Sequence, residues 1–132
     1  MKEVAKKKRI TEQVSFLGFK KEVSEEYHGS DVVVMCSRDE GMGRVTVEAM
    51  SYGKPVIGFR SGATPELITD GVDGFLYENG AQGLAEKMKL LLNDPDAASR
   101  MGKAGQQKAI QNFTIQKYVD EMYDVFREVY PF

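Results

Sequence analysis

The sequence predicts an α/β fold: a parallel sheet of about four strands with helices on both faces and several helices at the C-terminal end. Short apolar runs separated by helical patterns point to parallel strands joined by crossovers. Beyond Tyr77 every apolar pattern has helical spacing. Between the second apolar run and the next helical pattern lies a turn with glycines at 41 and 43. At 132 residues the chain fits one domain, spanning 1–132, with enough bulk to bury a core without disulfides.

Composition narrows the function classes. A hydrophobic content of 42% and a charged content of 29% are those of an ordinary globular domain, and a net charge of −2 exerts no pull on nucleic acid. The single cysteine, Cys36, lies in an apolar run and reads as a buried structural thiol. One histidine, His28, cannot build a metal site alone. No apolar run is long enough to span a bilayer and the first residues do not resemble a signal peptide, so a cytoplasmic setting is expected, peripheral to a membrane at most.

Taken in order, residues 1–9 read as the end of a surface helix whose Lys6, Lys7, Lys8 and Arg9 form a solvated basic cluster. Residues 14–17 read as a first strand ended by Gly18. Ser24 is placed to cap a short helix through Tyr27, with His28 at its C-terminal end. Residues 31–36 form the second strand. Residues 54–59 form the third, with Pro55 at its start, where a missing N–H does least harm. Pro65 opens a helical turn, and residues 75–77 make the fourth strand. Leu84, Met88, Leu91 and Leu92 recur at helical spacing and predict a core-facing stripe. Asp94 and Thr114 each cap a following helix. The last helix carries a long apolar stripe through Ile115, Tyr118, Val119, Met122, Phe126 and Val129.

The chemistry gathers between Glu40 and Glu48. A strand, a glycine turn and a helix start make an anion site, because the first amides of a helix lack acceptors and its dipole favours negative charge. A carboxylate on either flank opposes a phosphate unless it accepts hydrogen bonds from hydroxyls, which a sugar supplies. Loops following residues 17, 36 and 59 all contain glycine and fall on one sheet edge, beyond the strands' carboxyl ends, where such folds bind ligands.

Glu40 and Glu48, eight positions apart with Gly41 and Gly43 between them, resemble the donor-site signature of retaining glycosyltransferases of the GT-B fold. That group includes sucrose and glycogen synthases. Segments 14–18, 30–34, 48–57, 62–66 and 70–75 match its order and spacing, which extends the resemblance over nearly the whole chain from Val14 onward. It implies the second half of a C-terminal Rossmann-like domain that holds a nucleotide-sugar donor. Glu40 would accept from hydroxyls of the transferred sugar and is the one candidate for a catalytic role. Gly41, Met42, Gly43, Arg44 and Val45 would meet that sugar and the diphosphate. Glu48 would accept from the ribose, and Phe19 and Lys20 would meet the base. Five residues beyond Gly43 is roughly 7.5 Å of helix, a reasonable step from diphosphate to ribose. Two positions depart from the pattern: Met42 stands where an aromatic is usual, and Arg44 where an aliphatic is frequent. Arg44 reads either as a diphosphate contact or as an i, i+4 partner of Glu48, the latter worth only ~0.3–0.5 kcal/mol.

The resemblance also implies what the chain lacks. The arginine and lysine that neutralise the leaving diphosphate, the acceptor-binding N-terminal domain and two central strands have no counterpart here. A piece of a hexose-transferring enzyme, inactive alone and needing neither cofactor nor metal, is the expectation. Exposed strand edges and the last helix could drive self-association; sugar, base and acceptor stay open. The alternative kept open is a non-catalytic nucleotide-binding or protein-interaction subunit. A receiver-type domain lacks its acidic cluster here, and a nucleic-acid binder would need a basic face.

Overall fold

The structure is a computed structural model that describes residues 1–130. Three strands, β1 (Val33–Met35), β2 (Val56–Phe59) and β3 (Gly74–Tyr77), pair in parallel in the order β1-β2-β3. Val33 sits opposite Val56, and Val56 opposite Gly74. The described residues also form seven α-helices: α1 (Lys2–Lys7), α2 (Ser24–Gly29), α3 (Arg44–Ser51), α4 (Thr64–Leu67), α5 (Gly80–Asn93), α6 (Pro95–Asn112) and α7 (Ile115–Val129).

Strand alternation divides the core. Val56 and Leu76 point into one layer with Tyr27, Ala49, Met50, Leu67, Ile68 and Ala109. Ile57 and Tyr77 point into the other with Leu91 and Met101. Successive side chains of a strand face opposite sides, so one short strand serves both layers. The α6 helix reaches both, through Met101 at one end and Ala109 at the other.

Several sequence expectations change. Residues 14–17 are not a strand: Val14 is extended, at φ −125° and ψ 118°, but no ladder partner meets the segment. A strand exists only as a pair, so the sheet has three strands and one side of β1 is unpaired. Cys36 is exposed, because β1 ends at Met35 and the chain has already left the sheet. Its thiol faces the Tyr77 hydroxyl. Ser24 is the first residue of α2 rather than its cap; Val23 holds the cap position and supplies no side-chain bond. Of the predicted stripe on α5, Leu91 is buried and Leu84 packs on the core, whereas Leu92 is 66% exposed and Met88 lies at the rim. Asp94 and Thr114 do cap α6 and α7, accepting from the amides of Ala97 and Lys117. No residue of α7 is buried.

One polar cluster pins α6 to the loop behind the glycine turn. Lys108 Nζ donates to the Leu67 carbonyl at 2.6 Å, to Thr69 Oγ1 at 3.0 Å and to Asp73 Oδ2 at 2.9 Å. The Asp73 side chain is 6% exposed, and its other oxygen accepts from the Thr69 amide. Removing one partner of a buried ion pair leaves the other charge uncompensated. Lys108→Met is therefore expected to cost about 3 kcal/mol in a denaturant titration. Adding Asp73→Asn is expected to recover part of that loss, a coupling that a double-mutant cycle reads directly.

Candidate functional site

The site starts where β1 ends. Beyond Met35 the chain must turn and begin α3, and two left-handed residues accomplish this: Asp39 at φ 56° and Gly43 at φ 59°. Gly43 is buried and holds the cap position of α3. A Cβ on Gly43 would lie 2.5 Å from Leu67 Cδ1, so α4 packs where any other side chain would stand. The Gly43 carbonyl accepts from the amides of Thr46 and Val47, at 2.9 and 3.3 Å. The amides of Arg44 and Val45 find no acceptor among the described residues. These are the free donors of a helix start, set at the carboxyl edge of the sheet.

A second loop holds this turn from the side. Ser61 Oγ donates to Asp39 Oδ1 at 3.0 Å and accepts from the Asp39 amide at 3.2 Å. The Ala63 amide donates to the Glu40 carbonyl at 2.9 Å. Between them Gly62, at φ 55°, lies so close that a Cβ would sit 2.7 Å from both the N and the O of Glu40. The Glu40 backbone is thereby fixed. Its carboxylate makes no hydrogen bond or ion pair among the described residues.

Glu48 is held differently. Its Oε2 accepts from the Tyr27 hydroxyl at 3.1 Å, and Oε1 lies 3.5 Å from Arg44 Nη2. The Glu48 side chain is 40% exposed and that of Arg44 79%, so the i, i+4 pair is a weak surface contact. Tyr27 is 8% exposed and stacks on Tyr52 with ring centroids 5.1 Å apart. Burial, reinforced by the Glu48 bond, pushes the Tyr27 pKa up to about 12.

The remaining expected residues lie to one side. Met42 is 73% exposed, and Phe19 stands in solvent on the irregular segment before α2. Lys20 pairs with Glu26 of α2, which raises the lysine pKa and lowers that of the carboxylate. Thus α2 connects the two outer parts of the predicted site, Lys20 through Glu26 and Glu48 through Tyr27. Alongside Glu48 opens a groove of about 510 Å³, walled by Met42, Val47 and Leu67 on one side and by Phe113, Ile115 and Tyr118 on the other.

Sequence reasoning missed Tyr27 and the bracing role of Gly62. A buried tyrosine must find a partner for its hydroxyl, which was the available signal for Tyr27. Gly62 gave none beyond being a loop glycine, because its reason lies in a backbone 22 residues earlier, where Ser61 meets Asp39.

Two outcomes are expected. Gly62→Ala, strained and in collision with Glu40, is expected to lower stability by about 1–3 kcal/mol and to speed exchange of the Ala63 amide. Tyr77, like Tyr27, is held at about 12, chiefly by burial. Folding favours the protonated phenol of both. Their contribution is therefore full below the ordinary tyrosine value of 10.0 and is lost as the pH rises through about 12. Tyr27→Phe is expected to make that alkaline loss shallower, as read from denaturant midpoints across this range.

Comparison with known proteins identifies the family and the fold. The family described as "Glycosyl transferases group 1" matches residues 1–108. N-acetyl-alpha-D-glucosaminyl L-malate synthase of Bacillus anthracis is 34% identical over 131 residues, covering 96% of this chain and 34% of that protein. Trehalose synthase of Pyrococcus horikoshii is 34% identical over 109 residues, covering 83% of this chain and 26% of its own length. Among solved structures, Anabaena Alr3699/HepE in complex with UDP superimposes with a TM-score of 0.91 at 29% identity, covering 96% of this chain and 35% of the other. The same protein is also known in complex with UDP-glucose. The chain thus spans about a third of the length of the Bacillus and Anabaena proteins. With its parallel α/β architecture and the glycine turn at the start of α3, it belongs to the group 1 glycosyl transferases, enzymes of the GT-B fold.

Proposed function

We propose that these residues form the donor-binding part of a retaining glycosyltransferase, which passes a hexose from a nucleoside diphosphate sugar to an acceptor hydroxyl. The observation that carries this reading is the start of α3, where the free amides of Arg44 and Val45 stand between the unpaired Glu40 carboxylate and the anchored Glu48. In this reading the diphosphate lies against those amides, aided by the helix dipole and by Arg44, with no divalent metal. Glu40 accepts from hydroxyls of the transferred sugar, which also rests on Gly41, Met42 and Gly43. Glu48 accepts from the ribose, and the base lies toward Phe19 and Lys20. The complex of Anabaena Alr3699/HepE with UDP-glucose supports the class of ligand.

Amides aimed at a leaving diphosphate stabilise charge that grows as the glycosidic bond breaks, and such preorganised donors act without reorganising. Residues 1–132 alone would bind donor and turn over none, because the acceptor site and further cations for the leaving group belong to other parts of the enzyme. The full-length protein is expected to gain thermal stability with one of the UDP-, GDP- or ADP-sugars and not with the other two. Glu48→Gln is expected to weaken that binding by about tenfold or more, the scale of a hydrogen bond to a charged group. Unchanged donor affinity by calorimetry would remove Glu48 from the ribose.

A further inference from the structure

We propose that Tyr27 is a positioning residue that fixes one oxygen of Glu48 and so makes the other the reader of the ribose 2′-hydroxyl. The proposal rests on the donor reading above. A carboxylate has two oxygens and rotates about its last bond; an exposed one with a single weak partner samples many orientations. Glu48 is not in that condition. Its Oε2 is tied at 3.1 Å to a hydroxyl on a different helix, 21 residues earlier in the chain. That hydroxyl belongs to a ring that is itself immobilised. Tyr27 is 8% exposed and lies in the core layer with Ala49 and Met50. Its ring stacks on Tyr52 at 5.1 Å, and the edge of His28 closes on the far ring at 4.9 Å. His28 Nδ1 donates to the Ser24 carbonyl, and Lys54 Nζ donates to the carbonyl of His28, which secures the end of α2.

The two contacts to the carboxylate are therefore unequal. Tyr27 arrives from the protein interior on a rigid ring. Arg44 arrives from solvent on a flexible side chain, 3.5 Å from Oε1. A ligand hydroxyl can displace the arginine from Oε1, and it cannot displace the tyrosine from Oε2. Glu48 then presents one oxygen, in one orientation, as an acceptor. Since the phenol keeps its proton throughout the neutral range, Tyr27 always donates to the carboxylate and never competes with it as a base. An oriented acceptor at the 2′ position separates a ribonucleotide from its 2′-deoxy form, because only the former has a 2′-hydroxyl to donate there.

The test uses the full-length protein and the Tyr27→Phe variant, which removes the hydroxyl and keeps the stacked ring. Calorimetry measures affinity for UDP, GDP and ADP, and for the 2′-deoxy form of whichever the wild type holds most tightly. In the variant, affinity for the ribonucleotide is expected to fall about three- to tenfold, the scale of one hydrogen bond, while affinity for the deoxy form stays unchanged. The ratio of the two collapses accordingly, and the KM for the sugar nucleotide rises with little change in kcat. An equal loss for both nucleotides assigns Tyr27 to packing alone and overturns the proposal. So does an unchanged ratio in a variant with the wild-type melting temperature. A wild-type protein that binds none of the three nucleotides overturns the donor reading itself, and the proposal with it.

Discussion

Backbone held against backbone at the carboxyl edge of the sheet is the constraint on which the site depends. The chain leaving β1 must bend, expose two amides and enter a helix within a few residues. Left alone, such a turn would sample many conformations. It does not, because the loop after β2 lies against it with no side chain at Gly62 to hold them apart, and because Leu67 fills the space beside Gly43. Both braces come from the segment joining β2 to β3. The sheet order therefore bears on the chemistry: β2 sits beside β1, so the loop that follows it reaches the turn that follows β1.

The same segment is anchored from behind. Lys108 grips the Leu67 carbonyl, and Leu67 also lines the groove beside Glu48. A charged side chain on a C-terminal helix thus fixes a leucine that fixes a glycine turn. The chain of contacts is short, and every link is either a hydrogen bond or a close van der Waals approach. Glu40 and Glu48 end up with opposite characters as a result: the first has a fixed backbone and a free carboxylate, the second a carboxylate secured at one oxygen. Two carboxylates that look equivalent in the sequence are given different freedom by what surrounds them.

Much of this was legible beforehand, and the reasons for the remainder are physical. The three observed strands and the helix after the glycine turn follow from local signals: β-branched runs, glycine punctuation and helical periodicity. Asp94 and Thr114 were readable as caps because capping is decided within three residues. The strand expected at 14–17 failed because local pattern reports the capacity to pair and says nothing about whether a neighbour is present. Cys36 failed by one position, since burial ends abruptly where a three-residue strand ends. The pairing of Arg44 with Glu48 was visible from its spacing. The Tyr27 bond to the same carboxylate was not, since it spans α2 and α3 and depends on how the two pack.

The uncovered state of α7 has a consequence for how order is distributed along the chain. A fifteen-residue helix with no buried side chain draws little from packing within residues 1–130, and isolated helices of that length are marginal. Its N-terminal end is capped by Thr114 and its first turns wall the groove, so its ties to the rest of the chain lie at that end. Residues 44–109, by contrast, hold most of the buried core and the Lys108 hydrogen bonds that tie α6 to the loop after α4. Of α7 only Ile115, Tyr118 and Glu121 line the groove beside Glu48, so the groove draws on its first two turns and not on the rest of the helix.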